Sequence, residues 1–213
     1  MIVVESKKEL IELINRRIAN QGPKCDLNDI DVSKVDDMSY LFSESQFNGD
    51  ISKWDVSNVR SMYGMFWNSM FDGDISKWDV SNVEDMSFMF SFSMFKGDIS
   101  NWNVSNVEYM DGMFKSSVFK GDISKWDVSS VEDMSEMFYN SLFNGDISDW
   151  DVSSVRCMNE MFAYSEFSGD LSKWDVNNVM WWSRTFYESP LEGKEPEWYK
   201  RLGDPKGFSI GLK

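Results

Sequence analysis

The sequence contains no histidine in 213 residues, only two cysteines and only four prolines. The missing histidine removes the usual general base, the commonest metal ligand and any Ser-His or Cys-His nucleophile pair. Cys25 and Cys157 are too few for a disulfide framework. No run approaches the roughly 18 apolar residues that a membrane-spanning helix requires. Positive charge is also scarce, with 21 basic against 36 acidic side chains and a formal balance of -15. Nucleic-acid phosphates and anionic lipid repel such a chain, so the expected partner is another protein, neutral or basic. The start, Met1-Ile2-Val3-Val4-Glu5-Ser6, lacks a basic segment followed by a long apolar stretch and does not read as a secretory signal. The chain as it stands is expected in the cytoplasm, or at the cell surface if a leader has been removed.

What is present is a chain built to fold, 42% hydrophobic and 15% aromatic. Its aromatics are strictly periodic. Trp54, Trp78, Trp102, Trp126, Trp150 and Trp174 recur every 24 residues, and Ile30 holds the same place in a degenerate first unit. A fixed period in this range signals stacked units, each too small to bury its own apolar face. Within Ile51-Ser52-Lys53-Trp54-Asp55-Val56-Ser57-Asn58-Val59, Trp54 and Val56 alternate with polar residues as in a half-buried strand. Met62, Met65 and Phe66 follow at i, i+3, i+4, the spacing of one or two helical turns. The expected fold is therefore an α/β repeat solenoid, leucine-rich-repeat-like, of seven stacked 24-residue strand plus short-helix coils.

Gly49 and its equivalents precede Asp50 and its equivalents, predicting a positive-φ corner beside a carboxylate that bonds local backbone. The serines of the Ser45 and Ser69 series are expected to bond backbone as well. Cys25 and Cys157 lie too many units apart to pair: at about 4.8 Å per unit they sit roughly 24 Å from one another. Both should be free thiols. Caps close the two ends in this reading. Ser6-Lys7-Lys8-Glu9 is a capping box ahead of Leu10, Ile11, Leu13, Ile14 and Ile18, so residues 1–24 form an N-terminal capping helix. The repeats fill 25–189, and 190–213 form a C-terminal cap with Trp198, Tyr199 and Pro205 folded over the last coil.

The run Gly-Asp-Ile-Ser-x-Trp-Asp-Val-Ser-x-Val followed by Met-x-x-Met-Phe resembles the BspA-like leucine-rich-repeat bacterial surface protein family over Leu27 to Ser189. The resemblance implies a solenoid with protein-protein or adhesion roles, and no catalytic residues.

Columns of like residues invite chemistry, but repetition argues against it. A carboxylate pair that performs acid-base work needs two different environments, whereas the Asp50 series recurs in six units. Asp55, Asp79, Asp127, Asp151 and Asp175 form an acidic column, with lysines two residues away in four of those units. No Asp-rich glycine loop of the RTX or EF-hand type is present, and neither a metal nor a cofactor is expected. The tryptophan column is expected in the core. Recognition is expected at positions that vary between units: Arg60, Trp67, Phe88, Phe92, Tyr109, Tyr139, Arg156 and Tyr164. The expected function is a noncatalytic, monomeric protein-binding scaffold of bacterial or phage origin. One alternative is an acidic nucleic-acid mimic that inhibits a nuclease or defence effector through the Asp55 column; another is a cell-surface adhesin.

Overall fold

The computed structural model describes residues 1–203. Residues 204–213 of the expected C-terminal cap, Pro205 among them, lie outside the described residues. In chain order the elements are β1 (Ile2–Val3), α1 (Lys7–Gln21), β2 (Ile30–Asp31) and α2 (Glu197–Leu202). From β2 to α2 the described chain is a succession of turns. Single parallel bridges join the turns at the repeat period: Asp37 to Ser61, Ser61 to Asp85, Asp85 to Tyr109 and on to Trp181.

The strand expected at Trp54–Val56 and the short helix expected at Met62–Phe66 are therefore absent. Both give way to turns for an identifiable reason. Gly64 and Asn68 have φ of 57° and 49°, and their equivalents in every unit are likewise left-handed. An α-helix cannot accommodate such residues. The N–H groups that a helix would direct along its own axis instead reach the next unit. Met62, Gly64, Phe66 and Asn68 donate to the carbonyls of Asp85, Ser87, Met89 and Ser91 at 2.9, 2.8, 3.0 and 2.8 Å. Met62, Met65 and Phe66 are all fully buried, so the i, i+3, i+4 pattern reports burial faithfully and conformation wrongly.

Burial decides why this strained backbone persists. Each left-handed non-glycine residue costs about 1–2 kcal/mol, whereas each fully buried large side chain contributes about 1.5–3 kcal/mol. Every internal unit buries at least Val56, Val59, Met62, Met65, Phe66 and Phe71 or their equivalents, so burial wins. The rings align along the array. Phe66 lies 5.7 Å from both Phe42 and Phe90 and 4.4 Å from Phe71. Trp54 stacks on Trp78 at 6.5 Å, and Trp78 Nε1 donates to Ile51 O of the preceding unit at 3.1 Å. That bond satisfies the one polar atom of each buried indole.

The glycine of each Gly-Asp pair serves space rather than a positive φ. None of the Gly49 series is left-handed, but a Cβ on Gly73 would fall 2.8 Å from the Phe71 ring and 3.2 Å from Gly49 O. The aspartates do bond local backbone, as Ser52 N to Asp50 Oδ1 at 2.9 Å illustrates. The serine series does the same, with Phe71 N donating to Ser69 Oγ at 3.2 Å.

Both ends are covered within the described residues. Glu9 N donates to the N-cap Ser6 Oγ at 3.3 Å, the first bond of a capping box, but the Glu9 carboxylate accepts from Glu5 N at 2.7 Å, one residue before the N-cap, instead of from Ser6 N. Leu10, Leu13 and Ile14 are buried, whereas Ile11 faces out. β1, too short to be read in the sequence, pairs in parallel with β2. At the far end Trp198, carried on α2, stacks on Trp174 at 6.3 Å and donates Nε1 to Leu171 O at 2.7 Å. It continues the tryptophan column one period further.

Candidate binding face

The residues that vary between units fall into columns, and two of these columns lie at the left-handed positions. The first holds Tyr40, Gly64, Phe88, Gly112, Glu136, Glu160 and Arg184; the second includes Asn68, Phe92, Asn140 and Tyr164. Within the first column, aromatic and glycine alternate at its start. A Cβ on Gly64 would meet the Tyr40 ring at 2.8 Å, and one on Gly112 would meet the Phe88 ring at 2.3 Å. Each ring thus lies over the glycine of the following unit, and that glycine gives the ring room.

Tyr63 closes the space between the two rings. It stands edge-on to Tyr40 at 5.1 Å and tilted against Phe88 at 5.6 Å. With Trp67 these three side chains line an open cavity of about 210 Å³. Tyr40 remains 53% exposed and Phe92, in the second left-handed column, 48%, so aromatic surface is available to a partner. Burial, together with Tyr40 and the carboxylates of Asp111 and Asp85, pushes the Tyr63 phenol up to about 12. Asp111 is itself raised, chiefly by desolvation, and has no ion-pair partner among the described residues.

The same columns look different further along. Tyr139 and Tyr164 meet edge-on at 5.3 Å, and Tyr164 meets Tyr187 at 5.4 Å. Lys115 Nζ stands 4.8 Å above the Tyr139 ring, and the Arg184 guanidinium 4.2 Å above Tyr187. Glu136 pairs with Lys115, and Glu160 with Arg184 at 3.7 Å. This half of the face is occupied by its own cations.

Of the expected recognition residues, Trp67 and Phe88 converge on the aromatic cavity, and Tyr139 and Tyr164 converge on the cation-filled cluster. Phe92 lies in the second left-handed column. Arg60 and Arg156 belong elsewhere, each paired along the array with Glu84 and Glu132 respectively. Such exposed pairs are worth at most about 1 kcal/mol. Tyr109 is 42% exposed in the bridge column between Asp85 and Asp133. Tyr40 and Tyr63 were not singled out from the sequence, although Tyr63 is the one aromatic in a column of Ser39, Ser87, Asp111, Ser135, Asn159 and Ser183, and Tyr40 heads the column that holds Phe88. Also unforeseen is an apolar stripe, Met70, Met94, Val118 and Leu142, bordered by Lys96 and Lys120.

The acidic column is turn chemistry. Ser57 N donates to Asp55 Oδ1 at 3.1 Å, and the same bond forms at Asp79, Asp127, Asp151 and Asp175. Asn103 makes it too, at 3.2 Å, so the position requires an acceptor rather than a charge. Hydrogen bonds from Ser81 and Ser153 hold Asp79 and Asp151 below the usual carboxylate range. Among the described residues no three acidic or thiol side chains converge as metal ligands would. Both thiols are free; burial, with Asp133 beside it, pushes Cys157 up to about 11, and burial raises Cys25. No described helix is long and apolar enough to cross a membrane.

Periodic sequence and matching periodic contacts define a tandem-repeat protein. The chain belongs to the family described as Mycoplasma protein of unknown function, DUF285, whose model matches residues 17–119 and again 115–198. No curated protein and no solved structure matches it.

Proposed function

We propose that this chain is a leucine-rich-repeat-like solenoid of BspA-like character, acting as a noncatalytic scaffold that binds another protein through its left-handed columns. The observation that carries this is the convergence of Tyr40, Tyr63, Trp67 and Phe88, distant in sequence, around one open apolar cavity. Aromatic side chains in a partly desolvated hollow are the usual anchors of protein interfaces. Backbone bonds between units hold the columns in place before any partner arrives, which lowers the ordering cost of association. The nucleic-acid-mimic alternative has less support, because the acidic column is broken at Asn103 and each carboxylate spends an oxygen on a turn.

The test is affinity capture from the native host at low and high salt, run in parallel with the chain and its Trp67→Ser/Phe88→Gly variant. Serine and glycine already occupy these columns at Ser91 and Gly112, so the variant keeps the frame. A salt-resistant protein recovered by the parent and lost by the variant is the expected result. A partner released by salt from both forms alike would sink the aromatic-face reading in favour of the acidic one.

A further inference from the structure

The aromatic cavity differs from its counterpart along the same columns in one respect. Around Tyr139 and Tyr187, Lys115 and Arg184 lie against the rings, with Glu136 and Glu160 completing the pairs. Around Tyr40, Tyr63, Trp67 and Phe88 the rings and the carboxylates are present, but among the described residues no cation lies over any of them. Cations prefer the electron-rich faces of such rings, the more so when partly removed from water. Asp111, whose carbonyl oxygen accepts from Phe88 N at 2.8 Å, is desolvated and has no ion-pair partner among the described residues, and the chain as a whole carries a formal -15.

We propose that the box of Tyr40, Tyr63, Trp67 and Phe88 receives an arginine or lysine side chain from a basic segment of the protein partner, with Asp111 supplying the opposing charge. This deepens the aromatic-face reading and rests on it. The box does for the partner's cation what Tyr139 and Tyr187 do for Lys115 and Arg184. A box left open in this way makes recognition depend on a residue that the chain itself does not provide.

The experiment titrates the full chain with blocked pentapeptides, Gly-Ser-X-Ser-Gly, where X is arginine, lysine, citrulline or norleucine, following the indole N–H resonance of Trp67. The arginine and lysine peptides should bind saturably. Citrulline, which matches arginine in shape without its charge, should bind more weakly. Trp67→Ser and Phe88→Gly should each weaken the charged peptides about 2- to 30-fold, the range for loss of one cation–ring contact. Those variants are followed through the remaining indole resonances. Asp111→Ser should weaken arginine and lysine but leave norleucine unchanged. Ser154→Asn, which takes the residue of Asn178 in a column outside the face, should change nothing.

Equal binding of arginine and citrulline would overturn the proposal, as would charged-peptide binding indifferent to Trp67→Ser and Phe88→Gly. Norleucine binding as tightly as arginine, and lost in the same variants, would remove the cation while leaving the aromatic face as a binding surface. Melting curves of Trp67→Ser and Phe88→Gly that match the parent's, and one of Asp111→Ser no lower than it, would show that any loss arises at the box.

Discussion

Gly112→Ala tests whether the Phe88 ring is seated on the glycine of the next unit. Gly112 has φ of 58°, and a Cβ there would lie 2.3 Å from Phe88 Cε1 and 2.5 Å from Cδ1. Two costs follow. Placing alanine in a left-handed conformation costs about 1–2 kcal/mol. Displacing a half-buried phenylalanine forfeits part of the roughly 1.5–3 kcal/mol of a fully buried ring, or about 1–2 kcal/mol. The expected total is about 2–4 kcal/mol, near the upper end of ordinary single substitutions. In a Phe88→Gly background only the conformational cost should remain, so the two changes should couple by about 1–2 kcal/mol, within the range for residues in contact. The assay is urea unfolding of the four proteins of the cycle by tryptophan fluorescence. Repeat arrays can lose all-or-none unfolding, so the comparison requires equal slopes against denaturant. Equal costs for Gly112→Ala in both backgrounds would refute the seated ring and with it the shape of the aromatic box.

Four further outcomes are expected. The Nδ2 groups of Asn58, Asn82, Asn106 and Asn178 reach back to a serine carbonyl of the preceding unit at 2.6–2.8 Å. Ser130 and Ser154 hold the same place, so Ser130→Asn and Ser154→Asn should each add about 0.5–1.5 kcal/mol, seen as a raised urea midpoint. Asp79→Asn should keep the acceptor for Ser81 N and change stability little at neutral pH, whereas Asp79→Ala should cost about 0.5–1.5 kcal/mol by the same measure. Because the folded-state pKa of Asp79 is depressed, its contribution is present above the unfolded value of about 3.9 and fades as pH falls through the folded value. Asp111 has the opposite sign, since desolvation raises its folded pKa and favours the protonated form. Asp111→Ser, the residue of Ser87 and Ser135 in that column, should therefore raise the melting temperature at pH 7, with the gain shrinking as pH falls through the raised folded value and gone below the unfolded one. Phe92→Asn, the residue of Asn68 and Asn140, should leave the melting temperature unchanged or higher while lowering partner capture; a large loss of stability would make Phe92 a structural residue.

Burial was legible in this sequence because it repeats, whereas backbone conformation was not. The columns of Trp54, Val56, Met62, Phe66 and Phe71 are core, and periodicity alone marks them as core. The helix expected at Met62–Phe66 fails because spacing cannot distinguish a helical turn from two β-turns that bury the same residues. Gly64 and Gly112 hint at the left-handed position, but Glu136, Glu160 and Arg184 occupy it too, and that masks the signal. The N-cap of α1 was readable because its bond, from Glu9 N to Ser6 Oγ, is local. Trp198 lies one period beyond Trp174 and could have been placed by counting, but the surrounding residues have lost the repeat. Tyr40 and Tyr63 were legible only as departures from their columns, and Tyr40 sits in the degenerate first unit.

The left-handed columns set the frame's indifference to side-chain identity against the cost of using it. Backbone bonds between units impose φ near 55° at these positions whatever residue arrives, as Tyr40, Phe88, Glu136 and Arg184 all show. Glycine or asparagine is the low-strain occupant. Phe88 and Phe92 carry that strain with a bulky ring, and Phe92 recovers little by burial, being 48% exposed. Phe92 thus combines backbone strain with wasted apolar surface, and it follows Phe88 of the aromatic cavity by four residues, in the second left-handed column. Backbone strain clusters where function demands a particular side chain. Folding alone would favour the asparagine of Asn68 or the serine of Ser116 at that position, so the ring's presence is best explained by what it touches outside the chain.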